Sequence, residues 1–80
     1  MERLPSTSPW HPYVSVDPDR LGGEPVFRGT RVPVRTLFDY LEGGETVEQF
    51  MDDFPGVTRE QIAGVLRLAG QAADTGIKAA

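Results

Sequence analysis

Three stretches of this chain repeat one spacing. Val34, Leu37, Phe38 and Leu41 fall at i, i+3, i+4 and i+7. So do Val47, Phe50, Met51 and Phe54, and again Ile62, Val65, Leu66 and Ala69. That spacing gathers four apolar side chains on one face of an α-helix. The punctuation agrees. Pro33 suits a first helical turn, and Gly43-Gly44 stops that helix with a left-handed cap. Thr46 with Gln49, and Thr58 with Gln61, match the S/T-x-x-E/Q capping box, which satisfies two orphan amides at a helix start. Pro55 and Gly56 separate the second helix from the third. Gly70 loosens the end of the third, and residues 71–80 form a C-terminal tail that either extends it or frays. Three short helices with one apolar face each must share a single core.

The N-terminal part reads differently. "MERLPSTSPWHP", residues 1–12, holds three prolines and little periodicity. It reads as a flexible arm that Trp10 anchors to its own body or to a partner. "YVSV" at 13–16 alternates like a short strand. Asp17-Pro18 starts a turn that Gly22-Gly23 completes. "PVF" and "TRVPV" then flank Arg28-Gly29, which predicts a tight hairpin with Gly29 at positive φ. Pro25 and Pro33 donate no ladder hydrogen bond, so these strands lie at an edge or end there. The expected fold is mainly α, a helix-turn-helix-like domain over 13–70 in which a short strand and a small β-hairpin precede a tri-helical bundle.

Length and composition exclude much. Eighty residues make one domain with a thin core, because a chain this short buries only ~60% of the surface it exposes when unfolded. No cysteine and a single histidine rule out a disulfide and a cysteine or histidine-rich zinc site. Association is the remaining common aid to so small a core, so a homodimer is expected. No run is long or apolar enough for a membrane span or a signal-peptide core, so a cytoplasmic protein is expected. The acid pairs Asp17/Asp19 and Asp52/Asp53 read as a turn and a solvated helix end. No serine or lysine stands beside a credible base, so neither an enzyme nor a cofactor is expected.

The second and third helices, joined by a short turn, outline a helix-turn-helix. Phe50, Phe54, Val57, Ile62 and Leu66 sit where that motif wants its core. Met51 departs from the small residue usual at the helix crossing. The third helix would be the reading helix, with Arg59, Ala63 and Arg67 on its outward face and Ala63 and Gly64 small enough for close approach. Thr58, Arg59 and Gln61 lie at its N-terminus, where free amides favour a phosphate. These three and Arg67 are the candidate DNA contacts. Alternatively Arg59 and Arg67 are solvated surface charges, a reading that Asp52, Asp53 and Glu60 nearby favour.

Charge is distributed unevenly. The chain carries a net -4, yet Arg20, Arg28, Arg31 and Arg35 cluster in and beside "LGGEPVFRGTRVPVRTL" against Glu24 alone. Guanidinium groups recognise phosphate and carboxylate bidentately, and a stiff turn lowers the entropy lost on binding. Arg28, Arg31 and Arg35 are therefore candidate contacts to an anion or a partner, or they pair internally. Arg35 opposes the helix dipole in a first turn, which calls for a partner such as Asp39.

The strings "GGEPVFRGTRVPV" and "DDFPGVTREQI", with the order of elements over about residues 13–69, closely resemble the domain of unknown function 433 family. Gly23, Pro25, Arg28, Gly29, Thr30, Arg31 and Pro33 match its signature. Glu24 stands where a lysine or arginine is frequent. The resemblance implies a small dimer with a helix-turn-helix-like domain. It further implies an antitoxin of the VapB type, encoded beside a PIN-like ribonuclease toxin, which it neutralises by direct binding while repressing its own operator DNA. A protein-interaction module without DNA binding is the alternative.

Overall fold

The computed structural model describes residues 3–79. The first two residues of the expected arm and the last residue of the expected tail lie outside the described residues. The elements are strand β1 (Val14–Ser15), a 3-10 turn (Leu21–Gly23), strand β2 (Val26–Phe27) and helices α1 (Val34–Glu42), α2 (Val47–Asp53) and α3 (Arg59–Ala79). The mainly α architecture, three helices after a small N-terminal β element, is the one the sequence predicts.

Residues 6–13 run as consecutive turns, with Ser8 N–H donating to Pro5 O, His11 N–H to Ser8 O, and Tyr13 and Val14 N–H both to Trp10 O. Leu4 and Trp10 pack against the core, so Trp10 is anchored on its own body. The Asp17 turn forms as expected: its carboxylate accepts the Asp19 amide at 2.9 Å, and Gly22 and Gly23 take φ of 64° and 80°.

The β structure differs in one respect from the expected hairpin. Gly29 does take φ 79°. Phe27 N–H donates to Val32 O across the tight turn. The far arm, however, contributes only an isolated bridge between Val26 and Pro33. Pro33 has no N–H to extend a ladder and its φ leads straight into α1. The ladder partner of β2 is instead β1, antiparallel, with Val14 opposite Phe27 and Ser15 opposite Val26.

The helix boundaries follow the caps. Gly43 and Gly44 amides return to Asp39 O and Leu41 O, and Gly44 adopts φ 87°. At α2, Thr46 Oγ1 accepts the Gln49 amide at 3.0 Å, but the Gln49 side chain turns to Asp53, so this capping box is half formed. At α3 the box is complete: Thr58 Oγ1 accepts Gln61 N–H at 3.1 Å and Gln61 Oε1 accepts Thr58 N–H at 2.9 Å. Gly70 does not end α3, which runs on to Ala79 with every residue from Gly70 onward exposed.

Every layer feeds one core. Val14, Phe27, Leu37, Phe50, Val57, Ile62 and Val65 are its buried members. Phe50 is the hub, with ring centroids 5.9 Å from Phe27, 5.3 Å from Tyr40 and 5.0 Å from Phe54. Of the side chains expected in the helix-turn-helix core, Phe50, Val57 and Ile62 are buried, while Phe54 and Leu66 are half-buried at its edge.

Candidate functional site

The Gly29 turn is braced from within. Thr30 Oγ1 donates to Phe27 O at 2.7 Å and accepts Val32 N–H at 3.0 Å. The two arginines around it have opposite fates. Arg28 folds inward: Nε donates to His11 O at 2.7 Å and Nη2 to Val14 O at 3.0 Å. Its own carbonyl accepts Gln61 Nε2 at 2.8 Å. One residue thus ties the N-terminal turns, β1 and the start of α3 together. The reading of Arg28 as an outward anion ligand is corrected accordingly, because its Nε and Nη2 are held by main-chain oxygens that would otherwise lose their water on folding.

Arg31 points the other way. It is exposed, and among the described residues no hydrogen bond or ion pair holds its guanidinium. It borders a shallow depression of about 550 Å³ that Arg3, Arg20, Asp17 and Glu24 also line. Asp17 is shared by Arg3 at 3.4 Å and Arg20 at 3.7 Å. The depression therefore has three guanidinium groups against two carboxylates. Arg35 meets Asp39 at 3.9 Å, the internal partner anticipated for it, in an exposed pair that contributes little to stability.

The expected DNA face is partly occupied. Thr58 and Gln61 spend their side chains on each other and on Arg28 O. Arg59 Nη2 reaches Glu48 Oε1 on α2 at 3.3 Å. Arg67 lies over the Tyr13 ring, 5.8 Å from its centroid, and its Nη2 donates to the Tyr13 hydroxyl at 3.1 Å. Gly64 is not open to a groove wall but buried against that same ring. Arg59, Ala63 and Arg67 still share an exposed face. No sequence signal pairs Tyr13 with Gly64. An aromatic residue ending a proline-rich arm, and a glycine inside an apolar helical stripe, are the two halves of a contact that only the fold unites.

A β-carbon on Gly64 would stand 2.5 Å from the Tyr13 ring carbons. Gly64→Ala is therefore expected to lose about 1–3 kcal/mol by overpacking, despite alanine's better helix propensity. Tyr13→Ala in the same chain should recover part of that loss in a urea titration. Strictly additive losses would show that the two residues do not press on each other.

Two charged contacts link the helices at the surface. The Tyr40 hydroxyl donates to Asp53 Oδ2 at 2.6 Å. That bond, and the adjacent negative charge, raise the phenol pKa above its ordinary value. The Glu48 carboxylate accepts its own backbone amide and then Arg59, which hold its carboxyl below the usual value. A depressed carboxyl contributes stability that is present above the unfolded pKa and lost as pH falls through the folded one. Urea midpoints of wild type and Glu48→Gln should accordingly differ slightly at neutral pH and converge on the acid side of the glutamate range. A difference that persists unchanged in acid would contradict this assignment.

Comparison with known proteins agrees with the signature around the Gly29 turn. Residues 14–69 match the family model described as "Protein of unknown function (DUF433)". A relative named "Uncharacterized protein y4eO" in Sinorhizobium fredii (strain NBRC 101917 / NGR234) is 39% identical over 61 residues, covering 76% of this chain. The chain spans 28% of that relative's length. No solved structure matches it significantly. The matched segment contains β1, the Arg28 hub, the Arg31 edge, α1, α2 and the packed half of α3, and the chain belongs to the DUF433 family.

Proposed function

We propose that this protein is an antitoxin-type regulator of the VapB kind that binds and neutralises a PIN-like ribonuclease through the Arg31 edge. The observation that carries this reading is the contrast between the two arginines of the turn. Arg28 and Thr30 immobilise the backbone, and Arg31 is left exposed on it with no carboxylate of its own among the described residues. A planar cation on a fixed support suits a cluster of carboxylates, where it replaces the charge of a metal ion. PIN-like nucleases hold magnesium with such a cluster.

The test is inhibition of a purified PIN-like ribonuclease by this protein. Wild type is expected to inhibit, and Arg31→Ala to weaken inhibition about tenfold or more, as loss of a desolvated arginine contact does. Arg35→Ala, whose cation already meets Asp39, should change it little. Inhibition indifferent to Arg31, or no inhibition by the wild type, rejects the reading.

Repression of operator DNA by a dimer belongs to the same proposal, with Arg59 and Arg67 as the phosphate contacts. The reciprocal bonding of Thr58 and Gln61 favours a second reading, a protein-interaction module without DNA binding. Salt separates the two. Log affinity for operator DNA should fall with log salt by about 0.9 per neutralised phosphate if DNA is bound. A flat dependence, or no binding at low salt, leaves the interaction module.

A further inference from the structure

The second half of α3 rests on nothing among the described residues. Its buried residues end at Leu68, and Gly70–Ala79 are all exposed. A free helical segment of this length is marginal in water, and Gly70 and Gly76 each weaken it further relative to alanine. Ala69, Ala73 and Ile77 nevertheless continue one stripe at i, i+4 and i+8. Ile77 is 75% exposed, and it is the large hydrophobic side chain left in water among the described residues.

The opposite feature exists on the body. An apolar groove of about 440 Å³ opens between the N-terminal turns, β1 and α1. Leu4, Trp10, Val14 and Phe38 line it, and Glu24 and Arg35 are the charged residues at its walls. The helix carries the matching set. Asp74 and Lys78 flank the Ala73–Ile77 stripe, one turn apart and 3.0 Å from each other across an i, i+4 pair. By giving up their exposed pair with each other, Asp74 can join Asp39 in answering Arg35, and Lys78 can answer Glu24.

We infer that the groove receives the C-terminal half of α3 from a second copy of the chain, with Ile77 seated beside Trp10 and Phe38. Small residues at 72, 73 and 76 let the helix backbone come close to the groove floor. The exchange is reciprocal, each copy offering one helix end and one groove, so a closed two-fold dimer results. It explains why a stripe of apolar residues continues past the protein's own core. The inference is independent of the nuclease reading, since Arg31 is not a lining residue of this groove.

The experiment is sedimentation of the full chain over a concentration series, with emission of Trp10, the protein's one tryptophan, followed in parallel. Wild type should dimerise with a blue shift of Trp10. Ile77→Asp should raise the dimer dissociation constant about tenfold or more, as expected when one buried isoleucine is lost. Its thermal unfolding as a monomer should remain cooperative, because Ile77 touches none of the core. Glu24→Lys and Lys78→Glu should each weaken the dimer, and the two together should restore it. A wild type that stays monomeric, a dimer that tolerates Ile77→Asp, or a charge swap that restores nothing would overturn the inference.

Discussion

Phe50→Ala is expected to lower the unfolding free energy by about 3–5 kcal/mol, the range for emptying a large aromatic site. A domain of this length has roughly 4–12 kcal/mol in all, by the usual scaling with chain length. The substitution therefore removes a large share of the stability, and at the lower end of that range it unfolds much of the protein at room temperature. The reason is geometric. Phe50 is fully buried and meets Phe27 from β2, Tyr40 from α1 and Phe54 at the end of α2. The Tyr40 ring stands edge-on to it at 86°, the arrangement that sets the positive rim of one ring against the negative face of the other. Removing Phe50 opens a cavity bordered by three elements that cannot all collapse into it. Phe50→Leu, which keeps much of the volume, should cost only about 1–1.5 kcal/mol. Urea denaturation followed by circular dichroism measures both. Equal losses for the two variants would show that the aromatic contacts, and not the filled volume, carry the energy.

Arg28→Ala is expected to cost about 3 kcal/mol, since it removes two hydrogen bonds from a charged donor, and a bond to a charged group contributes roughly 1.5–3 kcal/mol. The loss is concentrated in one place. His11 O and Val14 O lose their donor, so the N-terminal turns and the start of β1 detach before the helices do. Trp10, which packs beside them, reports this directly through a red shift of its emission at temperatures where the helical signal persists. Arg28→Lys should restore little, because a single ammonium cannot span two carbonyls that a planar fork reaches together. An Arg28→Ala protein with unchanged melting and unchanged Trp10 emission would return this residue to the surface, where its charge would again be available to a partner. The prediction thus separates Arg28 from Arg31, whose removal should leave stability within about 0.5 kcal/mol.

The three helices were legible because each carries its own instructions. Val34, Leu37, Phe38 and Leu41 mark a face without reference to any other segment, and Thr58 with Gln61 forms a cap from residues three apart. Glycine 29 is similarly local, since a positive φ is a property of one residue and its immediate turn. The candidate site was legible only in outline. The arginine segment announced a cationic edge, but nothing nearby distinguished Arg28 from Arg31. Both flank the same glycine and have the same chemistry. Likewise Arg67 and Gly64 read as an open helix face until Tyr13, far away in sequence, covered one and bonded the other.

Periodicity, caps and turn residues are short-range physics, and the sequence alone therefore determined three amphipathic helices, a tight glycine turn and a concentration of positive charge in an acidic chain. Which β-strand pairs with which, which arginine turns inward, and which surfaces remain open were decided by the tertiary structure. Those outcomes depend on which main-chain carbonyls are left without a donor once the core closes. That quantity exists only after residues 11, 14, 28 and 61 have been brought together, and no local pattern encodes it.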